Sequence, residues 1–217
     1  MTILCSDPEH PVNAMLGEWA ERVSDRAETR LVREVEDVGE GEFLFLIACQ
    51  QIVKKPVRDR FTFTLVVHAS ELPKGRGWSP HVWQILEGRT EIQVSLLNAE
   101  DAVDTGAIWH VIPVQFDGTE VHDEIHRRIS EATVELMSWA LDNCPTTTPT
   151  VQQGEPSYYP RRTPADSQVQ PDQTIAEIFD LLRVADPARY PAFFDYRGHR
   201  YTLTLRRLGP APSQEDR

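Results

Sequence analysis

The chain has 217 residues, 40% of them hydrophobic and 26% charged, with a formal net charge of −12. This composition is that of a soluble globular protein with one substantial domain, or one domain and a small appendage, and the negative charge disfavours a long nucleic acid as partner. The three cysteines, Cys5, Cys49 and Cys144, contain no CxxC pair, so neither a disulfide framework nor a zinc site is indicated.

The first ten residues, MTILCSDPEH, lack the basic start and apolar stretch of a signal peptide. No apolar run approaches the ~20 residues of a bilayer span. A cytoplasmic location without a membrane partner is therefore expected. TILCS (2–6) is a short β-prone run. In 11–25 the apolar residues Val12, Met15, Leu16, Trp19 and Val23 lie on one helical face. The segment 29–38 reads as a strand. EFLFLIACQ (42–50) is apolar almost throughout, as in a strand buried on both faces of a parallel sheet, and FTFTLVVHAS (61–70) is a further strand. HVWQILEG (81–88) predicts a short helix stopped by Gly88, 91–99 and 107–116 predict strands, and 119–143 predicts a long amphipathic helix. The segment 145–172 carries six prolines in 28 residues and predicts an irregular arm rather than a packed element. A helix (173–186) and a hairpin around Arg197-Gly198 (193–208) follow. The order of elements predicts an α/β fold. There are no repeats, no G-x-G-x-x-G and no P-loop, which counts against dinucleotide or ATP use.

His68 ends an apolar run and opens a loop rich in Pro and Gly. If 64–68 is a parallel strand, His68 stands at its C-terminal end, where open α/β sheets bind ligands. The strand 91–98 leads into the acidic turn Glu100, Asp101, Asp104, closed by Gly106. A carboxylate from that turn beside the imidazole makes an acid/base pair. His122 and His126 lie four apart in HDEIH, but further metal ligands have no visible source, so a solvated helix face is the expectation there and no metal is called for.

HASELPKGRGWSPHVWQILEG followed by VDTG resembles the folate-dependent formyltransferases, through His68, Ser70, Leu72, Pro73, Gly77, Pro80, Asp104, Thr105 and Gly106. The 36-residue separation of His68 and Asp104 matches the family's usual spacing, and the resemblance covers roughly 42–140. YYPRRTPADS and the C-terminal hairpin look like the linker and tail of the sugar N-formyltransferases and their methionyl-tRNA relatives. The resemblance implies a Rossmann-like, open, mostly parallel sheet flanked by helices, with a C-terminal linker, helix and β-hairpin. It implies segments at 1–144 (catalytic domain with a shortened N-terminal half), 145–172 (linker arm), 173–208 (helix and hairpin) and 209–217 (disordered tail).

The implied reaction moves a formyl group from 10-formyltetrahydrofolate to a primary amine. His68, as imidazolium, would stabilise the tetrahedral oxyanion, and Asp104 would orient it and help move the amine proton. The folate would lie against Cys49, Gln50, Gln51, Ile52 and Val53 on one side and Glu100, Asp101, Ala102, Val103 and Asp104 on the other. The family's third catalytic residue is an asparagine two before the histidine, and Val66 stands there, so Thr64 or Asn98 are the candidates for its role. The length and charge point away from methionyl-tRNA and toward a small-molecule amine, most specifically a nucleotide-linked amino sugar. Lys74, Gly75, Arg76 and Trp78 would contact it, by ion pairing and ring stacking, and Arg161-Arg162 offer a second grip on phosphate. The rival readings are a catalytically impaired binding protein on the same fold, motivated by Val66, and hydrolysis of the formyl donor. The aromatic C-terminal end (Phe193, Phe194, Tyr196) would suit a homodimer or the chain's own core.

Overall fold

The apolar N-terminal run forms β1 (Thr2–Leu4), and the helical spacing behind it forms α1 (Val12–Arg22), which buries Val12, Leu16 and Trp19. A computed structural model describes residues 1–211; the end of the expected tail, 212–217, lies outside the described residues. The strand expected at 29–38 is confined to β2 (Arg30–Val32), because the chain turns into a short 3-10 segment at Val35–Asp37. β3 (Gly41–Leu46) is buried from Phe43 to Leu46, as its unbroken apolar sequence requires. A one-turn helix, α2 (Lys55–Arg58), leads to β4 (Phe61–His68). The two-residue β5 (Arg76–Gly77), α3 (Pro80–Leu86), β6 (Glu91–Asn98), β7 (Ile108–Gln115) and α4 (His122–Asn143) follow.

The main sheet has the strand order β2-β1-β3-β4-β6-β7. The first three pairings are parallel; β6 is antiparallel to both β4 and β7. It is therefore a mostly parallel sheet in an α/β fold, and the chain reverses its direction of travel across the sheet between β1 and β3, the switch point at which such sheets open a crevice. On one face Trp19 of α1 packs edge-on against Phe45 and donates its indole N–H to Ser138 of α4 at 2.8 Å. Phe43 stacks on both Phe45 and Phe63. On the other face Leu4, Val32, Leu44, Leu46, Val53 and Phe61 form a second cluster, joined by Val66 and Ala99. Each such large apolar side chain contributes about 1.5–3 kcal/mol when fully buried.

The proline-rich arm is irregular and exposed over most of its length and is tied down at two points. Thr150 bridges Ile108 by two backbone hydrogen bonds of 2.8 Å, and β8 (Tyr158–Tyr159) pairs in parallel with β5. The arm lacks long elements because of its prolines, yet as far as Arg162 it belongs to the first of two units, Met1–Gln115 with His126–Arg162. The second unit takes Phe116–Ile125 and the chain from Thr163 onward. It holds a 3-10 turn (Pro164–Ser167), α5 (Ile175–Val184) started by a Thr174/Glu177 capping box, and the hairpin β9 (Ala192–Tyr196) and β10 (His199–Leu203). Arg197 and Gly198, at φ 50° and 79°, make the tight turn the sequence predicted. Val169, Ile178, Leu182, Ala185 and Ala192 form the core of this unit, with Phe194 packed on it. Among the described residues no helix is long and apolar enough to cross a membrane.

Candidate functional site

A cavity of about 460 Å³ opens where β1, β3 and β4 end. Its wall is built from the turn after β1 (His10), the loop after β3 (Ala48 to Val53), the end of β4 (Val66 to Ala69), the loop Gly77–His81, the loop after β6 and one side of α4. Among the described residues four non-glycine positions have positive φ, and three of them line this cavity: Ala48 (47°), Ser79 (46°) and Asp104 (56°). Backbone of this kind is costly and is kept where the surrounding structure needs a side chain or an amide aimed in one direction.

His68 and Asp104 meet here, by a route the register makes indirect. β6 runs antiparallel to β4, so Ser95, not Asn98, stands opposite His68. The loop after β6 starts beside Thr64, where the Ala99 amide donates to the Thr64 carbonyl at 2.9 Å, and then climbs back along β4. Five residues later Asp104 Oδ2 lies 3.4 Å from His68 Nδ1, with both side chains more than nine-tenths buried. His68 Nε2 is 2.8 Å from the Gly75 carbonyl oxygen. A carbonyl only accepts, so Nε2 carries a hydrogen and Nδ1 is the nitrogen that gains or releases the second proton. Asp104 Oδ2 also accepts from the Gly77 amide at 2.9 Å, which ties the loop after β4 to the loop after β6.

A residue without any local signature completes this arrangement. Gln152, from the arm, donates to the Asp104 and Gly106 carbonyls, both at 2.8 Å, and accepts from Arg76 Nη2 at 2.6 Å. The arm is held in place by Tyr159. Its ring stacks on Trp83, its hydroxyl donates to Glu87 at 2.7 Å, and burial followed by the Glu87 carboxylate pushes its pKa up to about 12. Gly77, at φ 101°, lies so close to this strand that a Cβ would come 2.5 Å from the Tyr159 carbonyl oxygen.

Of the side chains expected to face folate, Cys49, Gln50, Gln51, Ile52, Val53, Glu100, Asp101, Val103 and Asp104 line the cavity, and Ala102 does not. Burial raises the pKa of the Cys49 thiol, so it presents a neutral group. Asp101 pairs with Arg58 at 2.9 Å. Of the residues expected to contact the acceptor, Trp78 is on the wall with Gly77, whereas Lys74, Gly75 and Arg76 are not. Arg76 is turned to Tyr158 and Gln152. Arg161 lies over the Trp78 ring at 4.8 Å and contacts Gln50. Val66 does line the cavity. Neither Thr64 nor Asn98 does: the Thr64 hydroxyl donates to the Arg58 carbonyl, and Asn98 Oδ1 accepts from the Trp109 indole at 2.7 Å. His126, expected on a solvated helix face, instead turns onto the cavity wall beside His10 and His81, because packing against the sheet decides which side of α4 is covered.

The chain matches the family described as formyl transferase over residues 6–141. It is 30% identical over 154 residues to the methionyl-tRNA formyltransferase of Thermus thermophilus, covering 69% of this chain and 48% of that one. The chain spans a third to about half of the length of the curated relatives it matches. Its fold is similar to that of a methionyl-tRNA formyltransferase from Clostridium thermocellum (TM-score 0.81, 22% identity, 94% of this chain and 92% of that one). It is also similar to HypX from Aquifex aeolicus in complex with tetrahydrofolic acid (0.79, 18%, 94% and 37%). A sugar N-formyltransferase from Shewanella shares the fold as well (0.71, 15%, 94% and 97%).

Proposed function

Because the chain belongs to the formyl transferase family, we propose that it moves a formyl group from 10-formyltetrahydrofolate to the primary amine of a small molecule, a nucleotide-linked amino sugar being the specific acceptor class. The observation that carries this reading is the pairing of buried His68 with Asp104 at one cavity wall. The folate-bound HypX neighbour supports the donor, and the Shewanella neighbour, a sugar N-formyltransferase, supports a sugar as the acceptor. The net charge of −12 supports a partner other than a long nucleic acid.

In this reading the amine attacks the formyl carbon and the C=O pair moves onto oxygen. His68 as imidazolium donates from Nε2 to Gly75 and presents the Nδ1 proton to the space shared by Asp104 and the oxyanion. Asp104 compensates the imidazolium charge and takes the amine proton through water. Collapse of the intermediate expels the folate nitrogen, which takes up through water the proton that Asp104 received, so the pair ends as it began. No step uses a metal. Transfer is tested by mixing the protein with 10-formyltetrahydrofolate and a panel of amines that includes nucleotide-linked amino sugars and methionyl-tRNA, and following tetrahydrofolate release. Release that depends on one small amine supports the proposal. Release with methionyl-tRNA alone replaces the acceptor with the one named for the sequence relatives.

Val66 on the cavity wall favours a slower enzyme, since valine offers no hydrogen bond to an oxyanion. Val66→Asn is expected to raise kcat by about tenfold, the worth of one added hydrogen bond to a charged group. A folded variant with an unchanged or lower kcat would show that the missing carboxamide does not limit this chain. The Gln152 brace makes a separate prediction. Gln152→Leu keeps the bulk but frees the Asp104 and Gly106 carbonyls, so kcat should fall about tenfold or more through displacement of Asp104. The affinity for folate should hold within about twofold, and a loss confined to thermal stability would contradict the positioning role.

A further inference from the structure

The loop that leaves the sheet after His68 is buried at Ala69, Ser70, Leu72, Pro73 and Gly75. Buried backbone must place its N–H and C=O groups on partners. The Gly75 carbonyl is held by His68 itself, at 2.8 Å, and the Ser70 carbonyl accepts from Ser95 Oγ at 2.9 Å. The Ala69 carbonyl, one residue beyond His68, accepts from Gln84 Nε2 at 2.7 Å.

Gln84 lies on α3 close to the buried apolar residues Val82 and Ile85 and is itself only 4% exposed. The second hydrogen of its Nε2 goes to the Pro80 carbonyl at 3.0 Å, one turn back on the same helix. Both partners are carbonyl oxygens, which only accept, so the nitrogen side of the amide is fixed toward them and both of its hydrogens are used. A side chain selected for packing alone would be apolar here, because a buried amide is costly unless it is hydrogen-bonded. The amide joins two stretches of the cavity wall: Ala69 at the end of β4, and Pro80, which follows the positive-φ Ser79. Gln84 does not line the cavity and acts through the backbone. The loop that starts at Ala69 must bring the Gly75 carbonyl back to His68 Nε2, so a shift at Ala69 disturbs the bond that selects the Nε2-protonated ring.

We infer that Gln84 is a positioning residue for His68: it holds the strand end so that the ring meets Gly75 on one side and Asp104 on the other. Its effect on rate rests on the formyl-transfer reading; its effect on the ring does not. Gln84→Met keeps the length and removes the donor. In protein labelled with 15N-histidine, the neutral His68 ring of the native chain, assigned with His68→Asn, should be protonated at Nε2 alone, and Gln84→Met should give a mixture of the two tautomers. With the amine that supports tetrahydrofolate release, kcat should fall about tenfold or more. The KM for that amine and the affinity for folate should hold within about twofold, since the lost interaction acts on the reacting groups and not on binding. A lower thermal midpoint with an unmoved ring and an unchanged kcat makes the amide merely structural and overturns the inference. A fall in kcat with an unmoved ring, or a moved ring with an unchanged kcat, overturns it as well. A moved ring in a protein whose native form transfers to no amine overturns the formyl-transfer reading and leaves the positioning of the ring standing. If Gln84→Met does not fold, the native chain still decides. The side-chain amide hydrogens of Gln84 should exchange with solvent at least about tenfold more slowly than those of the exposed Gln153, and equal exchange takes the amide off the Ala69 carbonyl and overturns the inference.

Discussion

Asp104→Asn should lower the rate of formyl transfer by about a hundredfold or more while leaving the thermal midpoint close to that of the native chain. The carboxamide oxygen can still accept from the Gly77 amide, 2.9 Å away in the native structure, so the tie between the two loops survives. What it cannot supply is negative charge 3.4 Å from His68 Nδ1. His68→Ala should cost at least as much, ~10²–10³-fold, the measured range for removing one donor from an oxyanion. It also leaves the buried Gly75 carbonyl without its 2.8 Å partner, so some loss of stability accompanies it. His68→Asn, which retains a side-chain donor, separates these two effects. Rates should be read as tetrahydrofolate release at saturating amine, with folate affinity measured in parallel. If Asp104→Asn melts early but turns over normally, the carboxylate is a structural tie and the proposed acid/base pair fails.

The largest loss of stability is expected at Gly106. A Cβ there would sit 1.9 Å from the Asn98 carbonyl oxygen and 2.7 Å from its carbon, and both obstacles are backbone of the strand end that cannot rotate away. The turn closes by stacking Gly106 on Asn98 while the Asn98 amide donates to the Ala107 carbonyl. Gly106→Ala must open this turn, at a cost of about 3 kcal/mol or more, which lowers the melting midpoint by roughly 6–12 °C in a chain of this size. Asp104 is two residues away and moves with the turn, so transfer should fall with stability. Gly17→Ala gives the opposite sign as a control. Gly17 is exposed in α1 with nothing within 4 Å of the added Cβ, so the better helix propensity of alanine should stabilise the protein by about 0.5–1 kcal/mol. Thermal unfolding of the two variants side by side checks both.

The elements of the sheet were legible because their signal is local. The unbroken apolar run at β3, the helical spacing of α1 and the Arg197-Gly198 turn each dictate a backbone shape over a few residues. The site was legible in part. The spacing from His68 to the Asp-Thr-Gly turn and the loop between them carried the family resemblance, and the two side chains do meet. The expected replacements for the family's asparagine do not reach the cavity. Thr64 shares a strand face with His68, but its hydroxyl donates to the Arg58 carbonyl. Asn98 is level with Leu65, and Trp109 takes its oxygen.

The sequence by itself determined the fold class, the chemistry on offer at His68 and Asp104, and the absence of an asparagine at position 66. The tertiary structure decided which distant residues join them. The antiparallel register of β6 sends its loop back along β4, the pairing of Tyr158–Tyr159 with Arg76–Gly77 carries Gln152 onto the Asp104 backbone, and the packing of α1, α3 and α4 gathers His10, His81 and His126 from widely separated positions. Periodicity reads what a segment buries. It carries no information on which loop crosses which strand end, because that depends on strand order, register and the side of each helix that the sheet covers.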